Sequence, residues 1–377
     1  MSFAPYEGEA FPNRRSSFGG GERLYVIAEA HDRIAVVDRS SGSILGAAPI
    51  GRNPVEVDGP HAVQVDEKNG FLYVGLAYPA TGADGVAHSH GTSTRAGYVQ
   101  KLALDELRVV GETRVDSDPA ELALNADGSR LIVTHFNLLR STKSTPNDDE
   151  KRSNISVIDT GKMEPLGGPE PLRIRTCAAP HDVVISSDAN ARAFVVCQGE
   201  DSVAIVDWSA APSVQRVALT GNDVVVGAPS YQPYTAALSP RGTALAVGTV
   251  GASLLFLFDL TTALGAGRPI HLRGVPGRPF WSADGARLTI PIESAAILAV
   301  VDATSGEEMF SRDLRSAGCS PIDTAVDNSS QRLFVLCADT GEGSVVLTLD
   351  AEGTDVGSIE RWNVGTGASR IALEGRP

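Results

Sequence analysis

The chain has 377 residues, a formal net charge of −14 and a pI near 5.0. This acidic balance argues against nucleic acid as a partner, because nucleic-acid binders normally present a basic face. No apolar stretch is long enough to cross a bilayer as a helix, so no membrane span is predicted.

Residues 1–21 contain Pro, Gly, Ser and Arg but no apolar core of a signal peptide. We interpret them as a flexible N-terminal arm. From residue 22 to residue 377 one sequence pattern repeats without interruption, which predicts a single domain although the length alone would allow two.

The repeat consists of three short apolar runs separated by turns rich in Asp, Asn and Gly, a pattern typical of an antiparallel meander. A Pro-led run comes first, an R-L-Y-V-like run second, and a run that usually ends in Asp third. The spacing is about 43 to 67 residues, which suits one four-stranded propeller blade. The second run occurs seven times, starting at Arg23, Phe71, Arg130, Arg192, Ala244, Arg287 and Arg332.

The phase of the repeat predicts how the ring closes. The first complete run is a second strand, at Arg23, and the last is a first strand, at residues 369–374. Pairing of these two segments would leave no open edge. The predicted fold is therefore all-β, a seven-bladed β-propeller of four-stranded antiparallel blades in which the C-terminal strand completes the N-terminal blade.

The units resemble YVTN-type propeller repeats over roughly residues 22–375, as in the stretch PHDVVISSDANARAFVVCQGEDSVAIVD that starts at Pro180. This resemblance implies the architecture and leaves the function open. The proteins with such repeats include surface-layer proteins, quinohaemoprotein subunits, lactonases and metal-binding oxidases.

Four cysteines occupy two equivalent pairs of positions. Cys177 lies just before a first strand and Cys197 ends the next strand, and Cys319 and Cys337 repeat this placement three units later. These positions are neighbours in an antiparallel hairpin, which favours two disulfides over a thiolate metal site or four free thiols. Disulfides indicate an oxidising compartment, so we predict a periplasmic or secreted protein whose signal peptide is absent from this sequence.

Two long insertions replace tight turns after second strands, at residues 77–97 and 138–153. They leave equivalent positions of adjacent blades and are expected on the same face. We call this face, which carries the loops that enter first strands and leave second strands, the top face. Long loops in compact folds are usually functional or disordered.

Six of the seven histidines map to the top face, in blades that are consecutive around the closed ring. Imidazoles that converge near an axial mouth suit a transition metal. Copper is the preferred metal because the set is dominated by His, and zinc or iron are the alternatives. Nearby carboxylates would orient the imidazoles or cap strand ends. The predicted metal ligands are His31, His61, His88, His90, His135 and His181, and the carboxylates are Glu29, Glu121, Asp182 and Asp323.

Three functions follow from these features. The first is a metal-binding propeller, with metal-dependent oxidation as its candidate chemistry. The second is a lactonase-like hydrolase or lyase that uses His181 as acid or base, assisted by Arg278, Arg370 or Asp182. The third is a binding scaffold without chemistry. A small-molecule substrate or a protein partner is expected at the top face.

Overall fold

In the computed structural model the chain forms a ring of seven antiparallel β-sheets. Six sheets have four strands, and the third has five because two short strands share its outer position. The prediction of a seven-bladed β-propeller is therefore confirmed. The structure describes residues 18, 22–53, 55–78, 93–167, 172–187, 192–208, 211–222, 224–262, 265–327, 332–338, 343–350 and 360–374.

Most strands have six residues. The strands of blades one to three are, in chain order, β1 (Arg23–Ala28), β2 (Arg33–Asp38), β3 (Ile44–Pro49), β4 (Pro60–Asp66), β5 (Phe71–Leu76), β6 (Tyr98–Ala103), β7 (Arg108–Arg114), β8 (Pro119–Leu124), β9 (Arg130–His135), β10 (Asn154–Asp159), β11 (Glu164–Pro165) and β12 (Arg173–Arg175). Those of blades four to seven are β13 (Pro180–Ile185), β14 (Ala193–Cys197), β15 (Ser202–Asp207), β16 (Ser213–Ala218), β17 (Pro233–Leu238), β18 (Ala244–Thr249), β19 (Leu254–Asp259), β20 (Arg268–His271), β21 (Phe280–Trp281), β22 (Arg287–Ile292), β23 (Ile297–Asp302), β24 (Glu308–Asp313), β25 (Pro321–Asp327), β26 (Arg332–Cys337), β27 (Ser344–Asp350) and β28 (Glu360–Gly365), and the last strand is β29 (Arg370–Leu373).

In the part of the chain that the structure describes, helical structure is confined to short segments. Two four-residue helices, α1 (Leu138–Ser141) and α2 (Asp148–Lys151), lie in the insertion between β9 and β10. Asn137 and Asn147 cap their N-termini by accepting backbone N–H bonds. Among the described residues, no helix is long and apolar enough to cross a membrane.

The ring closes as the repeat predicts. Strand β29 pairs antiparallel with β1, from Leu24 opposite Leu373 to Ile27 opposite Arg370, and so becomes the inner strand of blade one. Each of the other blades begins with its own inner strand. Because the last strand fills this place, the inner edge of β1 is paired.

Among the described residues, seven hydrophobic core clusters lie between the blades, one at each blade interface. Successive side chains of a strand point to opposite faces. In β1, Leu24 and Val26 accordingly pack toward blade seven, whereas Tyr25 and Ile27 pack toward blade two. Both faces of a blade are buried, which explains why the second and third runs are continuously apolar rather than alternating.

The inner strands of five blades share a register shift directly after their leading proline. In β13, Pro180 is opposite Cys197 and Val183 is opposite Val195, so two residues face a single partner. Such a β-bulge turns side chains away from the regular alternation. The residues in this bulge, His181 and Asp182, contribute to the site described below.

Both predicted disulfides are present. Cys177 is bonded to Cys197 and Cys319 to Cys337, with Cα–Cα distances of 5.7 and 5.0 Å. Each one joins the approach to an inner strand to the end of the second strand. The four sulfurs are therefore in disulfides, and the alternatives of a thiolate metal site and of free thiols are excluded.

Replacing Cys177 and Cys197 together with alanine is expected to lower the free energy of unfolding by about 3 kcal/mol. The bond closes a loop of 20 residues, and its loss enlarges the conformational freedom of the unfolded chain. Urea unfolding of the oxidised parent and of the double variant measures the effect. Equal midpoints and equal slopes for the two proteins would contradict it.

Candidate functional site

Charged and aromatic side chains from all seven blades meet at the propeller axis. Glu121 of blade three forms ion pairs with Arg278 of blade six and with Arg370 of blade one, which requires contact across the ring. We call this set the axial cluster. Its members are Glu29, His61, Glu121, Asp182, Tyr234, Arg278, Asp323 and Arg370.

Two arginines neutralise part of the negative charge in the axial cluster. Arg278 forms an ion pair with Glu121 and lies 3.3 Å from Asp182 Oδ2, and Arg370 lies 3.4 Å from Glu121 Oε2. Burial alone would lower the pKa of Arg278, but Asp182, Glu121 and Asp323 together raise it. The side chain of Arg278 is 26% exposed, whereas Glu121 and Asp182 are buried, so Arg278 is the member of this ion-paired group that reaches solvent.

Asp182 and Asp323 occupy equivalent bulge positions and connect neighbouring inner strands. Asp182 Oδ2 accepts the Ala236 N–H of blade five at 2.7 Å, and Asp323 Oδ2 accepts the Ile371 N–H of blade one at 3.0 Å. Burial raises the pKa of Asp182 to about 6, with a further contribution from Glu121 and opposition from Arg278. These carboxylates therefore hold the ring together as well as facing its axis.

His61 forms a buried pair with Glu29. The Nδ1 atom of His61 lies 3.1 Å from Glu29 Oε2, and neither side chain is appreciably exposed. Burial lowers the pKa of His61 to about 3, and the Arg370 charge lowers it further. The imidazole is consequently neutral at neutral pH, and the carboxylate fixes its proton on Nδ1.

His181 lies beside His61 in an aromatic setting. Its Nδ1 donates to the Tyr234 backbone carbonyl at 2.7 Å, and its ring stacks on the Tyr234 ring at 3.5 Å between centroids. Phe136 contacts the same imidazole edge-on at 4.9 Å. The His61 and His181 ring centroids are 6.2 Å apart, so the structure brings these two predicted residues together.

The other predicted histidines are placed differently. His135 Nε2 pairs with Ser156 Oγ of β10 at 2.9 Å, so its ring is directed toward the third strand of its own blade. His31 is exposed at the end of a turn after β1, and His88 and His90 lie outside the described residues. Among the described residues, no three His, Cys, Asp or Glu side chains could together hold a metal ion, and the six-histidine metal site stays a prediction.

Tyr234 and Phe136 are site residues that the sequence reasoning did not identify. Tyr234 follows the proline of its repeat, as His61 and His181 do. Alignment of the Pro-led runs would have placed it at the axis. Phe136 follows a second strand in a loop, and no repeat position singles it out.

A pH-dependent stability difference is expected from His135. Burial lowers its pKa to about 4, so between pH 6.5 and pH 4 the unfolded chain binds more protons at this position than the folded chain. The parent protein should therefore lose about 3 kcal/mol from this group as the pH falls from 7 to 4. The variant His135→Gln should lack this loss of stability. Unfolding curves at several pH values give the free energy of unfolding as a function of pH, and the slope of that function should differ between the two proteins.

His271→Gln is the matched control, since His271 is exposed at the end of β20. Its pH profile should follow that of the parent. Parallel profiles for the parent and His135→Gln would contradict the assignment.

The fold is shared with solved structures of other proteins at low sequence identity. The periplasmic gluconolactonase PpgL of Pseudomonas aeruginosa has a TM-score of 0.65 and 17% identity, with 94% of this chain and 99% of that chain covered. AztD of Citrobacter koseri, solved in its apo form, has a TM-score of 0.56 and 13% identity over 94% and 98% of the two chains. The dihydro-heme d1 dehydrogenase NirN has a TM-score of 0.56 and 12% identity over 99% and 77%.

No protein-family model matches the sequence, and no curated protein matches it. The similarities above are too low in identity to carry more than the fold. The feature that they share with this chain is the β-propeller fold. The chemistry of the axial cluster is therefore the basis for a functional proposal.

Proposed function

We propose that the protein is a hydrolase that opens a sugar lactone at the axial mouth of the propeller. The observation that carries this proposal is the buried His61–Glu29 pair beside two arginines. General-base, oxyanion-stabilising and hydroxyl-binding groups are all available in the axial cluster, and a lactonase needs these three.

His61 is the proposed general base. Because Nδ1 is directed at Glu29, the basic lone pair of the neutral ring is on Nε2. Glu29 would stabilise the imidazolium that forms when His61 accepts a proton, as a buried carboxylate does for a catalytic histidine. This assigns to His61 the role that the sequence analysis gave to His181, whose Nδ1 donates to a backbone carbonyl instead.

Arg278 is the proposed electrophilic group. Its guanidinium is part-exposed and held by Glu121 and Asp182, which fixes its position. A guanidinium aimed at the lactone carbonyl would stabilise the negative charge that develops on the oxygen. Arg370 is more deeply buried and would support the same charge from behind Glu121.

The charge balance of the cluster favours a neutral, polyhydroxylated substrate. Four carboxylates, Glu29, Glu121, Asp182 and Asp323, face two arginines. Carboxylates accept hydrogen bonds from hydroxyl groups, and the excess negative charge disfavours an anionic ligand at this position. A sugar lactone supplies hydroxyl donors and one electrophilic carbonyl.

The proposed reaction consumes one water. Its oxygen attacks the carbonyl carbon while His61 Nε2 takes one proton, which gives a tetrahedral oxyanion near Arg278. Collapse of this intermediate breaks the ring C–O bond, and the departing alkoxide takes the proton from His61. The product is the hydroxy acid, and His61 returns to its neutral form.

We further propose that the protein works in the periplasm or outside the cell. Its two disulfides persist in oxidising compartments and are rare in the cytosol. The structurally similar gluconolactonase of Pseudomonas aeruginosa is described as periplasmic. Fractionation of cells that express the natural gene, with blotting for this protein, tests the location.

A panel of sugar lactones, assayed by acid release against the spontaneous rate, tests the function. Purified protein should accelerate the opening of at least one lactone, and the activity should survive a chelator. Folded protein that accelerates none of them would contradict the proposal. Activity that is lost with chelator and restored by added metal would favour the second candidate.

Metal binding at the mouth is the second candidate function. In both His61 and His181 the Nδ1 atom is paired, with a carboxylate and a backbone carbonyl respectively. Ligating histidines commonly have such a partner, which directs Nε2 to the metal. Copper is the preferred ion, with zinc or iron as alternatives, and further ligands are needed beyond this pair.

Elemental analysis after dialysis against each metal measures the stoichiometry. A ratio near one that disappears in the His61→Ala and His181→Ala variants supports the second candidate. A ratio near zero for the parent protein with every metal removes it.

A further inference from the structure

A second cleft opens on the top face between blades two and three, away from the axial cluster. It has a volume of about 710 Å³, within the range of small-molecule sites. The two insertions help to build it, because Thr94 and Ala96 come from the first and Arg140 and Ser153 from the second. No member of the axial cluster lines it.

The lining of this cleft is strongly basic. Arg114 ends β7, Arg140 belongs to α1, and Arg173 and Arg175 lie in β12, whereas Asp116 is the one acidic residue among the lining positions. The whole chain has 46 acidic and 32 basic residues. With four guanidinium groups around one carboxylate, the cleft is positively charged, whereas the chain as a whole is negatively charged.

The four cations are only partly compensated by their surroundings. Arg173 pairs with Asp116 at 3.1 Å, and Arg175 Nη1 donates to the Asp149 backbone carbonyl at 2.6 Å. Arg114 forms no ion pair within the described residues, where its side chain is exposed. An anion in the cleft would supply the missing negative charge.

Arg140 gives a second, independent indication. Its Nε atom is buried and has no hydrogen-bond partner among the described residues. Burial lowers the pKa of Arg140, and the Arg175 charge lowers it further, while Asp116 and Glu150 oppose this effect. A buried, charged donor without an acceptor is unfavourable unless a ligand pairs with it.

Neutral hydrogen-bonding groups surround the arginines. Asn137 donates to Ser117 Oγ at 2.8 Å, which fixes both side chains at the cleft wall, and Asn154 lies 3.5 Å from Asp116. Such amide and hydroxyl groups can bind the neutral part of a ligand, while the planar guanidinium groups match oxyanions in bidentate fashion.

We infer that this cleft, which we call the arginine cleft, binds a small ligand with at least two oxyanion groups, phosphate or carboxylate. Its chemistry is opposite to that of the axial cluster, which is rich in acceptors. The ligand is therefore distinct from the neutral substrate proposed above, and the inference does not depend on the lactonase activity.

Isothermal titration at fixed ionic strength, with pyrophosphate and with citrate as probes, tests the arginine cleft. We expect saturable binding of at least one probe with a stoichiometry near one. The double variant Arg114→Gln, Arg173→Gln should weaken it by about tenfold for each arginine removed. Both side chains are exposed, so the variant is expected to fold. Preference for pyrophosphate indicates a phosphorylated ligand, and preference for citrate a polycarboxylate.

The matched control is the double variant Arg273→Gln, Arg315→Gln, which makes the same change in charge. These side chains are 62% and 63% exposed and pair with Glu308 and Asp313, far from the cleft lining. Its affinity should stay within about twofold of the parent. The inference is overturned if neither probe binds saturably, or if both double variants weaken binding equally.

Discussion

Replacing His61 with glutamine is expected to reduce the rate of lactone opening by about 10²–10⁴-fold in kcat. Glutamine keeps a polar side chain of similar length but cannot accept a proton from water. The substrate contacts of Arg278 and the carboxylates are unchanged, so KM should change little. Initial rates over a range of substrate concentrations, for the parent and the variant, separate the two constants.

Two further measurements distinguish a catalytic role for His61 from a structural one. Because burial lowers its pKa to about 3, activity should persist well below pH 6.5, where an exposed histidine would already be protonated. His271→Gln, at an exposed position, should retain full activity. A folded His61→Gln protein with the kcat of the parent would show that another group acts as the base.

Replacing Arg278 with methionine is expected to lower the free energy of unfolding by about 3–5 kcal/mol. The substitution leaves Glu121 and Asp182 buried without their main counter-charge. Protonation of these two carboxylates removes the unfavourable charge at low pH. The loss of unfolding free energy should therefore be larger at pH 8 than at pH 5. Urea unfolding at both pH values measures it.

The double variant Arg278→Met, Glu121→Gln tests the cause. Removal of the carboxylate together with its partner should restore part of the lost stability, in contrast to two independent sites, whose effects add. Arg315→Met, at an exposed ion pair, should cost less than about 1 kcal/mol. A loss for Arg278→Met as small as that of Arg315→Met would show that the axial ion pairs do not stabilise the ring.

The repeat was sufficient to predict the ring, its closure and the disulfides, because each depends on positions that recur in every unit. Cys177 and Cys197 could be paired once their strand positions were known, since neighbours in a hairpin have a fixed separation. The axial position of Glu121, Asp182 and Asp323 followed from the same phase.

Side-chain direction was harder to predict. His135 and His61 both map to the top face, but only His61 lies in an inner strand with a bulge that turns it to the axis. The His61–Glu29 pair joins residues from two blades, and no local pattern encodes it. The arginine cleft could not be predicted from the sequence either, because its arginines come from an outer strand, an insertion and a short edge strand.

Closure of the ring by β29 also affects the order of events during synthesis. Tyr25 and Glu374, which are in contact in the finished propeller, are separated by 349 positions in the chain. Joining ends so distant costs about 5 kcal/mol in chain entropy. While the ribosome is still making the later blades, β1 has no neighbour on its axial side. Its unpaired backbone N–H and C=O groups can then pair with a strand of another chain. The inner edge of β1 therefore stays open to mispairing until β29 is made, and deletion of β29 would leave that edge unpaired in the finished protein.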